Sequence, residues 1–234
     1  EKTLCNKCHL PSQEKIPNSI RVVQLSGEGK SFCAGADLNW MKSMVGFSVA
    51  ENKTDSLKLF DMFATIRTCH LPVIGRVHGN VFGGGVGLTA VCDIVAADGG
   101  AQFCFSEAKL GLVPAVISPF VMQKIPQAWA REWMLTARVF TATQALNANL
   151  VQFVGTAPQI EEYVNDCTSR IVANGPEAIG ATKKLIAQLS HMSWQECRDV
   201  TTRVIAERRV SPEGQEGLKS FLEKRSPHWK ITSE

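Results

Sequence analysis

Val73 to Gly87 reads VIGRVHGNVFGGGVG, and this stretch decides the fold class. Its apolar opening, Val73 to Val77, predicts a strand. A turn follows at Gly79, then a glycine cluster that opens into the helical run LTAVCD. A chain passing from strand through glycines into a helix brings unpaired backbone N–H groups, backed by the helix dipole, to one point. Such a point attracts negative charge: either a phosphate, or an oxyanion that exists only during a reaction.

Upstream, SIRVVQL (Ser19 to Leu25) alternates and is β-branched, so it predicts a strand ended by the turn SGEGK. SFCAG continues as an extended piece, and Asp37 opens the amphipathic LNWMKSM. A longer helix is expected from about Ala50 to Thr68, with Leu59, Met62, Phe63 and Ile66 on one side. Downstream, Asp93 to Ala97 and Ala101 to Phe105 predict two further short strands. Strands alternating with helices imply βαβ crossovers and a mostly parallel sheet, an α/β fold. After Pro126 strand signals nearly vanish, and the remainder predicts helices punctuated by Pro176, Pro212 and Pro227.

The 234 residues suffice for one large domain, or for one domain with an appendage. We divide them into a βα core over 1–170 and a helical region over 171–234. A net charge of +3 is too small to argue for nucleic acid or an anionic membrane. No apolar run approaches the ~18 to 20 residues of a membrane span, so a soluble intracellular protein is expected. Most of the eight cysteines lie in apolar segments and read as buried thiols. Cys5 and Cys8, in CNKCH, match the short haem-attachment pattern and a redox or zinc pair, with ordinary thiols the plainer reading. No metal site is expected.

Two readings of the glycine cluster stand side by side. Gly85-Val86-Gly87-Leu88-Thr89-Ala90 fits the dinucleotide fingerprint, with Glu107 where a ribose-binding acid would fall. The other reading couples the cluster to CAGAD, where Gly35 and Ala36 also lie between strand and helix. Two such turns side by side would aim two N–H groups at one carbonyl oxygen, an arrangement in which one lost donor costs about 3 to 4 kcal/mol of barrier. Glu107, in SEAKLGLVP, is the carboxylic acid that would complete a proton-transfer site, enclosed by Phe103, Phe105 and Leu110.

FCAGADL, HGNVFGGGVGL, CDIVAA, FSEAKLGLVP and EGLKSFLEKR, in this order, resemble the enoyl-CoA hydratase/isomerase family, the crotonases, over nearly the whole chain. LNWMK, PAVISPF and SPEGQEGLKSFLEKR are most similar to hydratases of branched or carboxylated enoyl-CoAs, the methylglutaconyl-CoA type of leucine breakdown. The resemblance implies a ββα spiral core with a helical C-terminal oligomerisation region. It also implies an acyl-CoA substrate, no separate cofactor, and a homotrimer or dimer of trimers in the cytoplasm, or in the mitochondrial matrix of a eukaryote. By matching positions, the N–H groups of Ala36 and Gly84 would hold the thioester oxygen and Glu107 would be the acid/base. Ala34, Asp37, Leu38, Phe82, Gly83, Gly87 and Pro114 would line the substrate path. Phe221 and Lys224 would reach the CoA nucleotide of a neighbouring subunit.

This chain departs from the family pattern in two places. Two-glutamate hydratases carry a second acid where this chain has Gly87, leaving Asp37, Ser118 or another group to hold the water. A single-glutamate double-bond isomerase is therefore the rival reading. Near the start, TLCN (Thr3 to Asn6) resembles the segment close to the CoA adenine, to which Lys2 and Leu4 would belong; the expectation is a truncated amino end. A catalytically silent acyl-CoA-binding homologue, or an RNA binder like one family relative, belongs to other classes. The basic pairs Lys183-Lys184 and Arg208-Arg209 are too short to form the stripe RNA would need.

Overall fold

Strand β2 (Val73–Val77) forms from the apolar run and is buried along nearly its whole length. A strand covered on both faces suits a parallel sheet. It pairs in parallel with β4 (Ile94–Asp98), Ile74 opposite Ile94 and Val77 opposite Ala97. With β1 (Val23–Ser26) and β7 (Phe153–Gly155) these make a four-stranded sheet ordered β1-β2-β4-β7. The computed structural model describes residues 19–190 and 192–230.

A second sheet, ordered β3-β5-β6, positions the site. It comprises β3 (Asn80–Phe82), β5 (Gln102–Cys104) and the antiparallel β6 (Phe140–Thr141). β3 and β5 run parallel, Phe82 opposite Cys104. Cys33 joins them through a parallel bridge to Val81, its N–H donating to Asn80 O at 3.1 Å and its carbonyl accepting from Phe82 N–H at 2.9 Å. Neighbouring parallel segments end at the same edge. The residues that follow them, Ala34 to Asp37, Gly83 to Gly85 and Ser106 to Glu107, therefore emerge together.

The helices before the second sheet are α1 (Leu38–Met44) and α2 (Val49–Thr68). A reciprocal capping box between Ser48 and Glu51 starts α2, a device worth about 1 kcal/mol. Phe63 and Ile66 are its buried residues, while Leu59 and Met62 are half-buried. α3 (Gly84–Val91) is buried at every position after its first residue. Beyond it come α4 (Ser118–Val121), α5 (Gln127–Thr136), α6 (Ala142–Asn147), α7 (Ala157–Val172), α8 (Pro176–Leu189), α9 (Trp194–Val210) and α10 (Pro212–Leu222).

The sequence reading needs correction at the strands. The first strand begins at Val23 rather than Ser19. Asn80–Phe82 is a strand that the sequence reading did not name, and β6 and β7 lie in the region where strand signals nearly vanish and helices are expected. With two or three residues each, these strands are too short to show alternation, and their ladder partners are distant in sequence.

The described residues fall into two compact units. One takes in Gln24–Cys69 and Val73–Val164; the other takes in 19–23, His70–Pro72 and 165–230. In the second unit, Glu213 at the start of α10 accepts the N–H groups of Glu177 (2.9 Å) and Ala178 (2.8 Å), capping α8 from another helix. Lys183 Nζ donates to Leu71 O at 2.9 Å. No helix among the described residues is long and apolar enough to cross a membrane. Cys5, Cys8, Lys2, Leu4 and the TLCN segment lie outside the described residues.

Candidate active site

Gly83 turns the chain from β3 into α3 at φ +52°, a conformation that costs an L-residue about 1 to 2 kcal/mol. Its N–H donates to Cys104 O at 2.9 Å, which ties the turn to the end of β5. The next N–H, that of Gly84, has no acceptor among the described residues, and neither has that of Ala36. A Cβ placed on Gly84 would meet no atom within 4 Å, so the N-terminus of α3 faces open space. Gly35, at φ +118°, makes the corresponding turn before Ala36.

Glu107 follows β5 on a 3-10 turn, Glu107–Leu110, closed by Gly111. The strand behind it is fixed by an aromatic stack. Phe103 and Phe105 lie 5.4 and 5.9 Å from Phe140, which lies 3.7 Å from Trp133. This firm base sets the Glu107 carboxyl against the Gly83 turn: a Cβ on Gly83 would stand 3.4 Å from Glu107 Oε1. Glu107 Oε2 is buried and has no hydrogen-bond partner among the described residues. Burial pushes the carboxyl up from its ordinary 4.5, with a backbone hydrogen bond pulling weakly the other way. Burial thus favours the protonated form more than it would in an exposed carboxyl.

The enclosure expected from Phe103, Phe105 and Leu110 is only partly realised. Both phenylalanines are fully buried, whereas Leu110 is 59% exposed, with Leu112 and Val113 exposed after it. An apolar rim therefore borders the acid.

Gly85 and Gly87 lie inside α3 and face protein. A Cβ on Gly85 would come within 2.9 Å of Cys33 Cβ, and one on Gly87 within 2.5 Å of Ile117 Cγ2 and 3.0 Å of the Phe63 ring. In a dinucleotide fingerprint the glycines make room for a pyrophosphate; here they make room for Cys33, Ile117 and Phe63. Glu107 abuts the glycine turn itself rather than a distant ribose site. The dinucleotide reading therefore does not fit.

Asp37 caps α1, its Oδ1 accepting from Asn39 N–H (2.8 Å) and Trp40 N–H (2.9 Å). Ser118 Oγ donates its proton to Pro114 O at 2.6 Å, so its hydroxyl is committed. Ala34 and Leu38 are exposed beside the Gly35 turn, and Phe82 and Pro114 are half-buried. In the second unit, Phe221 (81% exposed) and Lys224 stand at the end of α10. Sequence reasoning missed the packing of Phe63 and Ile117 on Gly87; a glycine inside an apolar helix was the available signal. It also missed Lys124. The Lys124 Nζ donates to Thr89 O at 3.5 Å near the C-terminal end of α3, and burial holds that ammonium down to about 8.

The sequence profile of the enoyl-CoA hydratase/isomerase family matches residues 11–232. The crystal structure of a candidate enoyl-CoA hydratase/isomerase (crotonase) from Legionella pneumophila superposes with a TM-score of 0.84 at 44% identity, covering 91% of this chain and 83% of that one. A candidate enoyl-CoA hydratase from Thermus thermophilus is 30% identical over 210 residues, which is 90% of this chain and 83% of the relative. The peroxisomal Delta(3,5)-Delta(2,4)-dienoyl-CoA isomerase of Arabidopsis thaliana is also 30% identical, over 94% of this chain and 83% of its own length. The fold is that of the crotonases, α/β with a helical C-terminal region.

Proposed function

This chain belongs to the enoyl-CoA hydratase/isomerase family, and we propose that it hydrates a 2-enoyl-CoA thioester with Glu107 as its one acid–base carboxyl. The observation that carries this is the Glu107 carboxyl set against Gly83, its buried Oε2 without a hydrogen-bond partner among the described residues, next to the free N–H of Gly84. The N–H groups of Ala36 and Gly84 hold the thioester oxygen. As water attacks Cβ, the π pair moves toward the carbonyl and the oxygen gains negative charge, which the two donors and the α3 dipole stabilise. Neutral Glu107 delivers its proton to Cα, and the proton released by the attacking water restores the carboxyl. Water is added and Glu107 ends as it began.

Each step is a proton transfer or a nucleophilic addition, so coenzyme A enters only as part of the substrate. Ala34, Leu38, Phe82 and Pro114 line the acyl path, with the exposed Leu110, Leu112 and Val113 supplying an apolar border. Likeness of LNWMK and PAVISPF to methylglutaconyl-CoA hydratases favours a branched or carboxylated acyl group. Region 171–234 serves oligomerisation, as a trimer or dimer of trimers. There Phe221 and Lys224 meet the nucleotide of a neighbour's CoA. A cytoplasmic or mitochondrial-matrix enzyme without nucleic-acid or membrane partners follows from the same reading.

One observation favours a second reading. Ile117 and Phe63 close the position of a second acid at Gly87, and a single carboxylate suffices to shuttle a proton from Cα to Cγ in an isomerase. A spectrophotometric panel of 2-enoyl-CoAs that includes 3-methylglutaconyl-CoA, with 3-enoyl-CoAs alongside, separates the two. Loss of the conjugated absorbance with formation of a 3-hydroxy product supports hydration. Double-bond migration alone transfers the assignment to the isomerase.

A further inference from the structure

The end of α10 is fastened far more firmly than a surface helix end requires. Lys224 leaves the helix at φ +54°, a left-handed turn made without a glycine. Arg225 locks that turn. Its backbone N–H donates to Ser220 O at 3.0 Å, and its guanidinium grips both oxygens of Glu216, Nη1 to Oε1 at 2.6 Å and Nη2 to Oε2 at 2.8 Å. Arg225 Nε adds a contact to Glu223 Oε2 at 2.7 Å. Glu216 Oε1 also accepts the His228 N–H at 3.1 Å, which draws the following segment back along the helix. These donors, Arg225 foremost, hold the Glu216 carboxyl down at about 2. Gly217 completes the seat: a Cβ there would stand 3.2 Å from Trp229 Cη2.

The locked turn projects Phe221, 81% exposed, and the exposed Lys224, whose ammonium has no partner among the described residues. A flat aromatic face beside a free cation suits a ligand that carries a heteroaromatic ring next to phosphate. Holding the backbone that carries both groups in place before the ligand arrives reduces the entropy lost on binding.

We propose that Glu216 and Arg225 are positioning residues that fix Phe221 and Lys224 to receive the nucleotide end of coenzyme A. This rests on the reading that Phe221 and Lys224 meet that nucleotide. The bidentate fork sets the direction of the Lys224 turn, and Glu216 is its anchor. The charged pair thus acts on substrate affinity and not on the chemical step.

The test compares Glu216→Gln, Lys224→Ala and wild type on one acyl group carried either by CoA or by pantetheine, which lacks the nucleotide. For Glu216→Gln the KM for the CoA thioester should rise about tenfold, equivalent to about 1.4 kcal/mol, with kcat and the pantetheine KM unchanged. The charge swap Glu216→Arg with Arg225→Glu should recover part of the loss. If Lys224→Ala raises the CoA KM and Glu216→Gln does not, the positioning role is overturned while the nucleotide reading survives. If Lys224→Ala leaves both substrates unchanged, the nucleotide reading falls and takes the inference with it. A parallel loss on CoA and pantetheine substrates by Glu216→Gln also overturns the inference, because it marks a purely structural role.

Discussion

Ile117 fills the space into which a side chain at Gly87 would grow: its Cγ2 lies 2.5 Å from where that Cβ would stand. With Phe63 at 3.0 Å on another side, a carboxylate at this position would be buried against hydrocarbon without a partner. A side chain at position 87, where the family resemblance would put a second acid, therefore has no room in this packing. Gly87→Ala should destabilise the protein by about 1 to 3 kcal/mol through overpacking. Combining it with Ile117→Ala, which removes the Cγ2 that occupies this space, should cost less than the sum of the single changes, since the two residues share one space. Chemical denaturation of the four proteins measures this. Strict additivity would contradict the packing.

Gly84 gives the opposite expectation. A methyl group there would meet nothing in the fold, and alanine is the better helix former at the first turn. Gly84→Ala should therefore keep or slightly raise the melting temperature while impairing turnover, because the methyl would intrude where the proposed reading places the thioester oxygen against the N–H. Unchanged kinetics would remove Gly84 from the site.

The strand-to-helix transitions and the pairing of CAGAD with GGGVG were legible because glycines between apolar runs leave a local mark. β3, β6 and β7 were not, because their existence depends on ladder partners far along the chain, such as Phe103 opposite Phe140 and Ala96 opposite Phe153. Glu107 was found from its context, yet its tilt toward the neutral form comes from burial that sequence does not display. Position 87 was recognised as missing an acid; that Phe63 and Ile117 seal it is a tertiary fact. Asp37, which opens LNWMKSM in the sequence and by resemblance also falls on the substrate path, caps α1 by accepting from Asn39 and Trp40 N–H.

Glu107 also couples function to stability. Its pKa is raised in the folded state above the ordinary 4.5, so the folded protein holds this proton more tightly than the unfolded chain. Stability should then fall as pH rises through the interval between the two values, and stay reduced above it. Glu107→Gln removes the titration. The variant should be more stable than wild type at neutral pH, with the difference closing below about pH 4.5, where the unfolded carboxyl is also protonated. Thermal melts across pH measure the effect, and a constant offset would contradict the burial that raises this carboxyl.

The pH dependence of turnover distinguishes the two chemistries. Hydration begins from neutral Glu107, so kcat should decline as pH rises through the pKa of the bound enzyme. Isomerisation begins from the carboxylate and should show the reverse slope. A rising limb with a 2-enoyl-CoA would contradict the proton path described for hydration.

The most direct test is single-turnover kinetics and thioester binding by Glu107→Gln. Removing the proposed acid–base carboxyl should cut the rate by about 10²- to 10⁴-fold while leaving affinity for the CoA thioester near wild type. Retention of wild-type turnover by this variant would contradict the assignment of Glu107.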